Sequence, residues 1–182
     1  MRLVSEQEVS KNCAGIRNPI SHDAARTEIE AWRGRCLNVF SRAEKSVTES
    51  LVKAREADAK IRLEPLAGQR LAALKNLVAE QPATESQNRA MTAALLLWQQ
   101  HDEKRPFFSH GITTELIDRT GQWHVQIDFI AVQKSACEPR RMTLSKTEAI
   151  QFEEGLHAAF KAMSNQLGQL RKRVQHVIKH SS

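Results

Sequence analysis

Thr92-Ala-Ala-Leu-Leu-Leu-Trp-Gln-Gln-His-Asp-Glu-Lys-Arg-Pro-Phe-Phe-Ser-His-Gly111 is the stretch on which the reading of this chain turns. Its first half is apolar at helical spacing, and after Gly111 the period changes to two. Trp123, Val125, Ile127, Phe129 and Ala131 alternate with His124, Gln126 and Asp128, the pattern of a half-buried strand. A helix therefore feeds a strand through a short segment carrying Arg105 and His110, five positions apart. Arginine is a fixed cation that forks onto phosphate. Histidine is the side chain best able to move protons near neutrality.

Toward the N-terminus the signal stays helical. Thr84 suits the cap of a helix reaching Glu103, with Gln87, Asn88 and Arg89 on its wet side and Met91, Ala94, Leu95, Leu97 and Trp98 inside. Pro65 suits the first turn of a helix over residues 65–80, whose stripe is Leu66, Leu71, Leu74, Leu77 and Val78. A long helix over residues 23–58 precedes it, with Asp23 as N-cap. Its apolar positions are Ile29, Trp32, Cys36, Val39, Phe40, Val47 and Leu51. Residues 1–22 lack periodicity and contain Gly15, Asn18 and Pro19, which predicts a loosely ordered N-terminal arm.

Toward the C-terminus, a β-hairpin is expected over residues 112–133, turning at Arg119-Thr-Gly-Gln122 with Gly121 in a left-handed conformation. A loop over 134–139 and a short third strand near 140–144 follow. Ser145 and Glu148 form a capping-box pattern that opens the last helix. In it Leu156, Phe160, Met163, Leu167, Leu170, Val174 and Val177 step by four and three, a seam for packing against its own bundle or a second subunit. The expected fold is mainly α: a four-helix-type bundle with a small antiparallel β-hairpin inserted before the last long helix. One domain spans residues 23–178.

Composition narrows the function. The chain has 182 residues, 41% of them hydrophobic, enough for one sizeable core. A net charge of +6 favours phosphate-bearing partners. Tyrosine is absent and aromatics make up 5%, which argues against a base-stacking platform. Cys13, Cys36 and Cys137 are too scattered for a disulfide framework or a zinc site, so a reducing, cytoplasmic setting is expected, with neither metal nor cofactor. No run approaches a membrane span, so no membrane partner is expected.

An arginine, four residues, a histidine and a glycine, placed between a bundle helix and a hairpin before a final long helix, resemble the HEPN superfamily. The resemblance implies a metal-independent endoribonuclease, active as a homodimer with two motifs facing across the interface. Such proteins serve in toxin–antitoxin or antiphage defence, beside an antitoxin or another protein partner. It also implies the alternative of a non-catalytic helical module that binds nucleic acid or protein. Arg105 would clamp the phosphate and His110 would transfer protons, with Ser109 and His101 in support. Spacing alone does not select this pair. Arg17/His22, Arg119/His124, Arg171/His176 and Arg173/His180 also satisfy it, but only Arg105/His110 has the helix before and the hairpin after. Pro106 departs from the family's polar residue and is expected to disfavour α conformation at Arg105. Arg171, Lys172 and Arg173 form a basic run suited to nucleic acid.

Overall fold

The computed structural model describes residues 20–57, 60–80, 83–133 and 136–180, the side chains of residues 133 and 176–180 excepted. Of the predicted arm over residues 1–22, residues 1–19 lie outside the described residues, as does the side chain of Val177, while the Ile20 amide donates to the Gly121 carbonyl at 3.3 Å and His22 already begins the first helix. The elements run α1 (His22–Ala57), α2 (Ala67–Glu80), α3 (Glu85–Asp102), α4 (Arg105–His110), β1 (Ile112–Ile117), β2 (Trp123–Gln133), β3 (Ala136–Ser145) and α5 (Lys146–His180). The fold is mainly α, as expected. Its β component is larger than the expected hairpin, since β1, β2 and β3 form a three-stranded antiparallel meander.

The helix starts follow local chemistry. Ser21, rather than Asp23, caps α1: its hydroxyl accepts from the Ala24 amide at 3.2 Å and its carbonyl from the Ala25 amide at 2.9 Å. Thr84 and Gln87 make a reciprocal capping box at α3. Ser145 and Glu148 do the same at α5, with the Ser145 amide 2.8 Å from Glu148 Oε2. Leu66 and Leu97, expected inside, are 62% and 41% exposed. Leu66 precedes α2 and contributes only the carbonyl that receives Arg70. Leu97 sits at the edge of a stripe already filled by Ala94, Leu95 and Trp98.

The long seam of α5 is consumed inside the chain. Leu156, Phe160, Met163, Leu167, Leu170 and Val174 are all buried, in a core shared with α1 and α3. Trp32 Nε1 donates to the Ala149 carbonyl at 2.8 Å, tying the start of α5 to α1. Aromatic rings concentrate where α4 enters. Phe108, 0% exposed, lies 5.2 Å from Trp32, 5.6 Å from Phe40 and 5.1 Å from Phe152, stacked on the last. Phe107 meets Phe129 of β2 edge-on at 4.7 Å. Both phenylalanines are the core anchors that plug α4 into the bundle.

The turn between β1 and β2 has Gly121 at φ 78°, as expected. Asp118 organises it, its Oδ1 accepting from the Thr120 amide at 2.8 Å and the Gln122 amide at 3.0 Å. β1 pairs with β2 only from Ile117↔Trp123 to Ile112↔Asp128. β3 follows β2 much further, to Gln133↔Ala136. Residues 129–133 and 136–140 therefore form a two-stranded overhang beyond β1.

Candidate functional site

Pro106 begins a helix instead of distorting one. α3 ends at Asp102 with Glu103 as C-cap, the chain bends at Lys104 (φ −89°, ψ −13°), and Arg105 opens α4 in helical conformation. Proline in the first turn lacks an N–H that would have no intrahelical partner there. The expected loss of α conformation at Arg105 is absent because the break has moved two residues upstream.

Arg33 of α1 holds the other end of α4. Its Nε donates to the Phe108 carbonyl at 2.9 Å and its Nη2 to the Gly111 carbonyl at 2.8 Å. A guanidinium on the last carbonyls satisfies acceptors that a helix end leaves open. Gly111 is required by space. A Cβ there would lie 2.3 Å from Ile127 Cγ2 and 2.3 Å from the Phe107 carbonyl oxygen.

Arg105 and His110 are thus placed firmly, but on different sides of α4. Five residues at about 100° each separate them by about 140° around the axis. Arg105 is turned into the bundle and is 30% exposed. Its Nη1 is 3.8 Å from Glu44 Oε2, and its Nε is 3.3 Å from Asp102 Oδ1, out of hydrogen-bond alignment. Arg70 of α2 also binds Glu44, so two arginines converge on one carboxylate of α1. Burial raises the Asp102 carboxyl above its ordinary range against the opposing pull of Arg105.

His110 is exposed and lines a cleft of about 790 Å³ between α4 and the overhang. Glu103, Lys104, Pro106 and Phe107 line it on one side and residues 129–132 on the other, together with Arg140 and Arg141 of β3. Arg141 pairs with Asp128 at 2.7 Å and Arg140 with Glu138 at 2.5 Å. Ser109 is exposed, and its hydroxyl donates to the Arg105 carbonyl at 3.1 Å, within its own helix.

His101 lies one turn before Lys104 and packs edge-on against Phe152 at 5.5 Å. Gly155 makes room for it, since a Cβ there would lie 3.2 Å from His101 Cε1. Burial lowers the pKa of this imidazole. The folded state therefore prefers it neutral. Above the unfolded pKa, about 6.5, its contribution is intact. As pH falls below that value the unfolded chain takes the proton first, and stability declines until the folded pKa is reached. Thermal midpoints of the wild type should drop between pH 7.5 and 5.5 more than those of His101→Gln. Equal slopes would remove His101 from the pH response. Asp102 acts in the opposite sense, since burial raises its carboxyl and the folded chain takes that proton before the unfolded one as pH falls.

The basic run of α5 is largely engaged in packing. Arg171 donates to Ser50 Oγ at 2.8 Å and approaches Ser46, while Arg173 donates to Gln87 Oε1 at 3.0 Å. Lys172 between them is exposed. His124, of the alternative pair with Arg119, is held by Asp118 at 3.0 Å. His22 begins α1, and the side chains of His176 and His180 lie outside the described residues. Burial pushes the Cys36 thiol up to about 12, which leaves it a poor nucleophile. Among the described residues, no three His, Cys, Asp or Glu side chains gather as a metal set, and no helix is long and apolar enough to cross a membrane.

Two features escaped the sequence. Arg33 is one of several arginines on α1, and nothing local distinguishes it. The overhang was hidden because residues 134–139, with Pro139, read as a loop. Comparison of the chain with protein-family models, curated proteins and solved structures finds no match in any of the three.

Proposed function

We propose that this chain is a non-catalytic interaction module whose working surface is the cleft between α4 and the β2–β3 overhang. One observation carries the reading: α4 divides the arginine–histidine pair. Arg105 closes onto Asp102 and Glu44, and His110 opens into a cleft lined by Phe107, Phe129, Ile130, Ala131 and Val132. A phosphate clamp would have to give up two carboxylates, one of them drawn from a partly buried site. A cleft lined by apolar residues of β2 and by arginines already paired, Arg140 with Glu138 and Arg141 with Asp128, suits a protein segment better than an RNA backbone.

The second reading is a metal-independent endoribonuclease of the HEPN type, working as a cytoplasmic homodimer in toxin–antitoxin or antiphage defence. It is favoured by the exposure of His110 beside Lys104 at the cleft mouth. Burial of the α5 seam leaves any dimer contact to other surfaces, with a composite site pairing His110 with cations of a second copy.

Incubation of purified protein with mixed cellular RNA separates the two. The interaction module leaves RNA intact with or without EDTA. Cleavage by wild type that survives EDTA and disappears in His110→Ala, with circular dichroism unchanged, would establish the nuclease. Binding without cleavage that weakens steeply with salt and with Lys172→Ala would instead favour a nucleic-acid-binding role.

A further inference from the structure

We propose that a basic groove between α1 and α5 is a second site, which binds a phosphate dianion, either free or at the end of a small molecule. The groove shares no lining residue with the α4 cleft, so the inference goes beyond the interaction module. It starts from the distribution of charge along the chain. Residues 155–182 contain Lys161, Arg171, Lys172, Arg173 and Lys179 but neither Asp nor Glu, so this segment carries +5 of the net +6. Arg171 and Arg173 are engaged by Ser50 and Gln87. Lys161 is exposed, one turn after His157 and one turn before Ser164 and Asn165 on α5. Residues at such intervals share one face of a helix.

Arg42 of α1 lines the same groove, a space of about 400 Å³. Its guanidinium carbon lies over the Phe160 ring, 5.1 Å from the centroid. A cation–π contact holds the group while leaving its N–H donors unused. Phe160 is buried, so the core fixes the ring beneath. Other arginines around α1 are neutralised, Arg35 by Glu153 and both Arg70 and Arg105 by Glu44. Among the described residues, neither Arg42 nor Lys161 has a carboxylate at ion-pair distance, and no acidic side chain lines the groove.

The donors define the ligand. A phosphate monoester carries about −1.5 to −2 charges near neutrality and three acceptor oxygens. The guanidinium fork matches two of those oxygens, and the ammonium supplies a compact second charge. Ser164 and Asn165 have no hydrogen-bond partner among the described residues, which leaves a hydroxyl and a carboxamide for the remaining oxygen. A nucleic-acid backbone fits less well. Its charge is spread singly along a strand, whereas the next arginines along α5 are turned onto Ser50 and Gln87.

The test titrates the isotope-labelled full chain with inorganic phosphate, glycerol phosphate, dimethyl phosphate and an RNA oligonucleotide lacking terminal phosphates. Inorganic phosphate and glycerol phosphate should shift the resonances of His157, Ser164 and Asn165 saturably. Tighter binding of glycerol phosphate assigns the site to a monoester, and tighter binding of inorganic phosphate assigns it to the free ion. Dimethyl phosphate, with a single charge, should bind at least tenfold more weakly than either. Arg42→Gln and Lys161→Gln should each lower the affinity at least fivefold with circular dichroism unchanged. Lys161 is exposed, so its variant still reads binding where loss of the Arg42–Phe160 contact lowers stability. Arg55→Gln, which removes an exposed charge at the end of α1, should change nothing. No shift at these residues overturns the proposal, including the case in which another part of the chain covers the groove. Undiminished affinity in Lys161→Gln and Arg42→Gln overturns it as well. Equal binding of dimethyl phosphate, or tighter binding of the RNA at the same residues, overturns it in favour of a nucleic-acid backbone.

Discussion

Phe108→Ala is expected to cost about 4 kcal/mol of stability, the range found when a fully buried phenylalanine is truncated. Phe108 is wholly enclosed and shares contacts with Trp32, Phe40 and Phe152, residues fixed on two long helices that have little freedom to collapse. For a chain of this size the loss corresponds to a fall of about 8–16 °C in thermal midpoint. Circular dichroism melts of wild type and variant measure it directly. A fall of less than about 3 °C would mean that α4 is not anchored through this ring.

Gly111→Ala should cost about 3 kcal/mol, at the upper end for overpacking. The backbone there is ordinary, φ −77° and ψ 146°, so strain in φ is not the cause. The added methyl would meet the Phe107 carbonyl and the Ile127 side chain, and the carbonyl belongs to a helix turn that cannot rotate away. The same melts check this, and Ile127→Ala in the Gly111→Ala background should recover part of the loss. A neutral Gly111→Ala would show that β2 is free to shift away from α4.

Both sites lie within the segment that carries Arg105 and His110. Arg105→Ala would strip Glu44 and Asp102 of a shared cation. A variant in this segment that loses function therefore shows a functional site only if its stability has been measured alongside.

The fold was legible where local chemistry and periodicity agreed. Thr84 with Gln87, Ser145 with Glu148, and the four-three stepping from Leu156 to Val174 each carry their own signal. The sheet is underestimated over residues 136–139, which belong to β3, because a proline on an edge strand reads like a proline in a loop. Candidate site residues were legible as types but not as neighbours. The five-residue interval between Arg105 and His110 looks like a pair in sequence, and only helical geometry shows that it separates them. Glu44, 61 residues before Arg105, could not be named as its partner from any local pattern, and Arg33 became a cap only when α4 docked beside it.

The closure of the bundle by its two outermost long helices also has a consequence for how the protein is made. Trp32 bonds to Ala149, Arg35 to Glu153 and Arg171 to Ser50, each across more than 110 residues of chain. Translation proceeds at about 5–20 residues per second. The buried side of α1 is therefore synthesised roughly 6–25 s before the helix that covers it. During that interval the part of this face that only α5 covers is open to chaperones and to other nascent chains, whereas Trp32 and Phe40 can already meet Phe108 and Trp98. The arrival of α5 decides when the face of α1 that it covers is closed.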